Sequence, residues 1–272
     1  MELAVEGPQG NRRAYVYTGG RAFDAGLPTV VFIHGALHDH SVWTLLARWC
    51  AYHGYSVLAP DLPGHARSEG PPLDSVEALA DWLLALLGAV RIERAVLVGH
   101  SMGSLVALEA TSRAPGRVDR LVMLGTAFPM TVSPALLETA RDAPLRAIDL
   151  VNTYSHSTFA AKPGHPGPGS WLHGADRGLM RRVQAGWRED NLFLTDFEVC
   201  NRYPGGLDAA MRIGCPVTFV LGSRDQMTQP RQASALAEAL HADVSTVDAG
   251  HAMMMEAPDA VLGALKRALG RE

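Results

Sequence analysis

The chain has 272 residues, of which 47% are hydrophobic and 19% charged, and its formal net charge is −4. That length and balance suit one large α/β domain with a substantial core and room for an inserted subdomain. The mild negative charge without a long basic run argues against nucleic acid as a partner, and the longest apolar run, Trp82 to Val90, is far too short to cross a bilayer.

In chain order, Leu3–Glu6 and Arg13–Thr18 are short extended runs separated by Gly7-Pro8-Gln9-Gly10, which predicts an antiparallel hairpin at a sheet edge. Thr29–Ile33 is a continuous β-branched apolar run, the mark of a strand buried on both faces. His34-Gly35-Ala36-Leu37 follows it. Ser41 is then the expected cap of a helix through about Tyr52, with Val42, Leu45, Leu46 and Trp49 at helical spacing. Tyr55–Ala59 is the next strand, and a helix starts at Asp74 or Ser75 and runs through Leu87. Ala95–Val98 is a strand that leads into Gly99-His100-Ser101-Met102-Gly103 and a helix ending near Ala114-Pro115-Gly116. Val118–Leu124 is another strand.

The alternation then stops. Ser133-Pro134 opens a helix with an N-cap serine and N1 proline, and Pro144 breaks it in two. Lys162–Ser170 (KPGHPGPGS) is turn-rich and predicts no regular structure, while Asp176–Asp190 and Asn191–Tyr203 read as two more helices. The alternation resumes with a strand at Val217–Leu221, a helix at Arg231–Leu240, a last strand at Val244–Val247 and a closing helix at Pro258–Leu269. Alternating strands and helices predict a mostly parallel central sheet covered by helices on both faces. The core comprises residues 1–126 and 212–272, and residues 127–211 form an inserted helical cap. Between residues 126 and 214 nine basic residues balance nine acidic ones, so the insertion has no one-signed field for steering a charged substrate.

Cys50, Cys200 and Cys215 are odd in number and lack metal-ligand spacing, so they read as reduced thiols. Met1-Glu2-Leu3-Ala4-Val5-Glu6 has neither a basic n-region nor an apolar h-region, and a cytoplasmic protein is expected. His38, His40, His156, His165 and His173 form no ligand pattern such as H-E-x-x-H, so no metal is expected.

Reactive residues of such sheets gather at the carboxyl ends of strands, and three candidates stand there. Ser101 sits in G-x-S-x-G on a sharp strand-to-helix turn, where a Cβ at either glycine would meet neighbouring backbone. The turn presents the hydroxyl above the sheet and aims the Met102 N–H at any oxyanion formed there. A serine needs a base, and His251 follows the last strand. The histidine needs a carboxylate, which Asp225 supplies after the Val217–Leu221 strand; Asp248, three residues before His251, is the alternative acid. His34 is expected to be a structural hydrogen-bonding residue, and Asp61–Ser68 a rigid brace.

Gly99-His100-Ser101-Met102-Gly103, the His34-Gly35 turn, Asp61-Leu62-Pro63-Gly64-His65-Ala66-Arg67-Ser68, Gly222-Ser223-Arg224-Asp225 and Gly250-His251 together resemble the α/β-hydrolase superfamily. Ser104 and Ala66 depart from that pattern, standing where many relatives carry glycine. The resemblance implies the α/β-hydrolase fold and an oxyanion hole completed by the Ala36 N–H, with Leu37 the next donor. It implies a serine hydrolase acting through an acyl-enzyme with the chain order Ser101, Asp225, His251. A largely apolar small-molecule ester is the expected substrate. A carbon–carbon bond hydrolase, a cofactor-free perhydrolase and a ligand-binding receptor are the alternatives. No nucleotide or flavin fingerprint is present, and no cofactor is expected. Leu37, Phe128, Tyr154, Trp171, Trp187 and Met254 are the expected pocket residues, with Phe159 and Phe193 as further wall candidates.

Overall fold

The computed structural model describes residues 1–7, 10–157 and 171–271; Phe159 and the predicted Lys162–Ser170 loop lie outside the described residues. Among the described residues eight strands form one sheet: β1 (Glu2–Gly7), β2 (Gly10–Tyr17), β3 (Thr29–Ile33), β4 (Ser56–Pro60), β5 (Ala95–His100), β6 (Val118–Leu124), β7 (Val217–Gly222) and β8 (Asp243–Val247). Their spatial order is β1-β2-β4-β3-β5-β6-β7-β8. The β1–β2 and β2–β4 pairs are antiparallel and all the others parallel. Every residue of β3, β4 and β5 is buried, as their unbroken apolar runs require.

Eleven α-helices accompany the sheet among the described residues. Those of the core are α1 (Thr44–Tyr52), α2 (Val76–Ala89), α3 (Met102–Arg113), α9 (Ser234–Ala239), α10 (Met253–Glu256) and α11 (Pro258–Ala268). Between β6 and β7 lie α4 (Pro134–Asp142), α5 (Pro144–Ser155), α6 (Leu172–Gly186), α7 (Leu192–Arg202) and α8 (Gly206–Ala210). One face of the sheet packs Leu83, Leu86, Leu105 and Leu108 of α2 and α3. The other packs Leu46 and Ala47 of α1 with Val261 and Leu265 of α11. A third apolar cluster joins Ile148, Met180, Val183, Phe193 and Phe197 of α5–α7 to Leu37 from the loop after β3. No helix among the described residues is long and apolar enough to cross a membrane.

Four local expectations change. The chain after β3 enters a 3₁₀ turn at His40–Trp43 before α1, and its cap is Asp39, whose carboxylate accepts the Ser41 N–H at 2.8 Å. Ser41 lies inside that turn and also donates its hydroxyl to Asp39. Helix α6 starts four residues before the predicted Asp176. Asp176 lies inside the helix, where its carboxylate is buried and accepts from His38. The predicted Arg231–Leu240 helix divides into a 3₁₀ turn at Pro230–Gln232 and the short α9. Helices α8 and α10 are too short for apolar periodicity to reveal. Ser133 does cap α4 by accepting the Leu136 N–H, and Pro144 opens α5.

Candidate active site

Ser101 joins β5 to α3 with φ 52° and ψ −121°, a backbone state that a residue bearing a Cβ adopts only under constraint. The constraint is steric. A Cβ on Gly99 would run into the Gly103 backbone, and one on Gly103 into the Ile33 and His34 carbonyls. The elbow is further tied by Ser101 N–H to the Leu124 carbonyl at 2.9 Å and by Ser104 N–H to the Ser101 carbonyl at 2.9 Å. Ser104 is accommodated without strain, because its hydroxyl donates to the Ser101 carbonyl at 2.6 Å and lies 2.8 Å from the Thr126 hydroxyl. Gly103→Ala is expected to destabilise the chain by about 3 kcal/mol, since two strands of backbone would have to part. Urea denaturation measures this, and a loss under about 1 kcal/mol would mean the elbow is loosely packed.

Asp225 and His251 follow β7 and β8, which are neighbours in the sheet with Gly222 opposite Val247. Backbone bonds lock the two loops together, Ser223 N–H to Val247 O at 2.8 Å and Arg224 N–H to Ala249 O at 3.0 Å. The His251 Nδ1–H donates to Asp225 Oδ2 at 2.8 Å. The Thr228 hydroxyl donates to the same oxygen at 2.8 Å, and the Met227 and Thr228 amides donate to Oδ1 at 2.8 Å each. Burial pushes the Asp225 carboxyl up, but the His251 and Thr228 bonds outweigh it and hold its pKa below the usual range. Asp248 does not share this site. Its side chain is 80% exposed and pairs with Arg224 at 2.8 Å. Thr228 was not anticipated, although the Asp225-x-x-Thr228 spacing is that of a carboxylate gathering the amides of its own turn.

The loop after β3 supplies the third component. His34 Nδ1–H donates to the Gly35 carbonyl at 2.9 Å while its Nε2 accepts the Leu62 N–H at 3.0 Å, which fixes the neutral tautomer. Burial, with His65 beside it, keeps the His34 pKa well below that of an ordinary histidine. In a trans peptide the N–H points opposite the C=O. Holding Gly35 O therefore directs the Ala36 N–H away from His34. Ala36 borders the same cavity as Ser101 and His251, and Met102 is the first residue of α3. Leu37 is not free to act as a donor, because its N–H is bound by Asp196 Oδ2 at 2.8 Å.

Two further imidazoles, those of His100 and His38, line the same cavity as Ser101. His100 is buried and donates Nε2–H to the His251 carbonyl at 3.0 Å. Burial and the neighbouring His251 and His38 keep it well below the normal histidine pKa, hence neutral. His38 donates Nε2–H to the buried Asp176 at 2.9 Å. Burial opposes its charge, yet the Asp176 carboxylate raises its pKa above the normal value. Among the described residues Asp39, His40 and Asp61 bring potential cation ligands within 4.8 Å of one another. Their oxygens are spent on protein donors: Asp61 takes the His40 ring, the His40 N–H and the Arg67 N–H, and Asp39 takes Ser41. This is a brace for two loops.

A cavity of about 440 Å³ contains Ser101, His251 and Thr228 on its floor. Of the expected pocket residues Tyr154 lines it. Leu37 is wholly buried under α5–α7, and Met254 belongs to the core beneath the sheet. Phe128 packs edge-on against Tyr203, 6.0 Å between ring centroids. Trp171 is 53% exposed and stacks on His173, while Trp187 packs on the third apolar cluster. Phe193 is buried and stacks on Phe197 with 4.3 Å between centroids. The wall is instead made by Met130, Leu136, Val151, Met180 and Phe197. Phe197 and Tyr154 are the rings of this segment that face the cavity, while Phe193 is buried beside it.

Comparison with known proteins agrees with the topology. The chain is 33% identical over 135 residues to the sn-1-specific diacylglycerol lipase ABHD11 of Mus musculus, a match covering 49% of this chain and 44% of that protein. The chain spans about a third to under a half of the length of the first curated relatives it matches. The enol-lactonase from Burkholderia xenovorans superposes with a TM-score of 0.80 at 20% identity, covering 100% of both chains. The esterase from Exiguobacterium antarcticum does so with a TM-score of 0.83 at 16% identity, covering 99% of this chain and 100% of its own. With residues 30–264 matching the family model as well, the chain belongs to the alpha/beta hydrolase family.

Proposed function

We propose that the protein is a serine hydrolase that cleaves a carboxylic ester. The observation that carries this reading is the His251–Asp225 bond of 2.8 Å at the floor of a cavity that also holds the strained Ser101. A carboxylate on Nδ1 leaves Nε2 as the ring's lone pair, available to a serine proton. Ser101 attacks the ester carbonyl while His251 takes its proton, and the Ala36 and Met102 amides receive the oxyanion. His251 returns the proton to the departing alcohol. Water, deprotonated by His251, then releases the acid from Ser101. Steady turnover of p-nitrophenyl butyrate tests the reading against a receptor that only binds.

Residues 127–211 serve as the cap in this scheme. Met130, Leu136, Val151, Met180 and Phe197 make an apolar wall, which suits an apolar acyl or alcohol group. The similar proteins named above, a lipase, an esterase and an enol-lactonase, lie in the same ester and lactone chemistry. Leu136→Trp narrows the cavity and is expected to lower the octanoate-to-acetate ratio of kcat/KM about tenfold. Trp171→Ala, outside the cavity, should leave that ratio within about twofold. A p-nitrophenyl ester series with both variants, after their melting temperatures are checked, decides this; equal ratios would place the acyl group elsewhere.

A further inference from the structure

Three consecutive residues of the loop after β3 are each held by a residue of α6 or α7. The Leu37 N–H goes to Asp196 Oδ2 at 2.8 Å, His38 Nε2–H to Asp176 Oδ1 at 2.9 Å, and Asp39 Oδ2 accepts from Arg182 at 3.4 Å. Asp196 is the most committed of these partners. It is buried, and the same Oδ2 accepts His65 Nε2–H at 2.9 Å from the loop after β4. The other nitrogen of His65 faces the Pro63 carbonyl at 3.0 Å, so both ring nitrogens carry protons and the pair is a buried ion pair. Leu37 itself has φ 54°, a left-handed conformation that a leucine holds only where its surroundings impose it. Its surroundings are the Asp196 carboxylate on its N–H and the apolar side chains of α5–α7 around its side chain. Helix α7 is in turn anchored in the sheet's core by Val199 and Cys200, and just past its end the Tyr203 hydroxyl donates to Glu109 at 2.7 Å.

We propose that Asp196 is a positioning residue for the oxyanion hole: by accepting the Leu37 N–H it fixes the Ala36–Leu37 peptide, and with it the aim of the adjacent Ala36 N–H. His34 holds that amide's peptide from the core side, through Gly35 O, and Asp196 holds the next peptide from the α7 side. The hole is then complete only while α7 is seated, so the insertion assembles the catalytic loop as well as walling the cavity. This inference rests on the reading of Ala36 as an oxyanion donor.

The test uses Asp196→Ala and Asp196→Asn with p-nitrophenyl butyrate and an alkyl trifluoromethyl ketone, whose serine adduct places an oxyanion in the hole. Asp196→Ala is expected to lower kcat about 10²- to 10³-fold, the range for loss of one oxyanion donor, with KM within about threefold. Ketone affinity should fall in step, while affinity for butyrate, the acid product, stays within about twofold. Asparagine, whose Oδ1 accepts where Asp196 Oδ2 does, should restore activity to within about tenfold of the wild type. If Asp196→Ala does not fold, Asp196→Glu carries the test, because it keeps the charge and displaces the acceptor by a methylene; kcat and ketone affinity should fall together. A folded variant of either kind with wild-type kcat and ketone affinity overturns the inference alone. A wild-type protein that neither turns over the ester nor is labelled at Ser101 by a fluorophosphonate overturns the catalytic reading and this inference with it.

Discussion

Ser101→Ala is expected to lower kcat for p-nitrophenyl butyrate by about 10⁶, the loss seen when a serine-protease triad loses its nucleophile. The fold should survive the change. Ser101 occupies the N-cap position of α3, but its side chain makes no capping hydrogen bond there, so removing Oγ unties no helix end. The strained backbone is held by Gly99 and Gly103 on either side and by the Ser101 N–H and carbonyl bonds, all of which an alanine retains. The melting temperature should therefore stay within about 2 °C of the wild type. A fluorophosphonate should add one adduct to the wild type, mapped by mass spectrometry to Ser101, and none to the variant. An alanine variant that is still labelled, or that still turns over, would mean another nucleophile carries the chemistry.

The sheet was legible because burial on two faces demands unbroken apolar runs, and β3 and β6 match their predicted limits residue for residue. The elements bearing Ser101 and Asp225 were legible for the same reason. His251 instead follows β8, an edge strand with Ser245 and Thr246 at its centre and only Val247 buried, and there the β-branched Val244, Thr246 and Val247 marked the strand. The cavity wall was not legible. Whether a residue of α4–α7 faces the cavity or the interior depends on how those helices dock, and a helical pattern marks an apolar face without saying what covers it. Trp171 and Trp187 looked like wall residues by size, yet Trp171 found His173 and Trp187 found the apolar cluster around Phe193. Asp176 and Asp196 were hidden for a complementary reason. An acidic residue on a helix is ordinarily solvated, and only the fold brings these two against His38, His65 and the Leu37 N–H, at sequence separations of 131 to 159 residues.

Asp225→Asn is expected to lower kcat about 10⁴-fold, whereas Asp248→Asn should leave it within about twofold. The contrast follows from the donors around each carboxylate. Asp225 Oδ1 faces two backbone donors, the Met227 and Thr228 amides, so an asparagine must keep its carbonyl oxygen there. Its NH₂ group then occupies the Oδ2 position, opposite His251 Nδ1. An amide donor facing that nitrogen favours the tautomer with the proton on Nε2, and an Nε2–H has no lone pair with which to take the serine proton. The opposite flip would aim the NH₂ at two amide protons, leaving three donors without an acceptor in a buried turn. The variant should thus fold with its triad geometry nearly intact and fail through tautomer alone. Asp248 has no such leverage, because its partner Arg224 is about half exposed and the pair is immersed in solvent. Steady-state kinetics on both variants checks the contrast. If Asp248→Asn is the crippling change, the carboxylate that serves His251 during catalysis is Asp248, and the bond to Asp225 is structural.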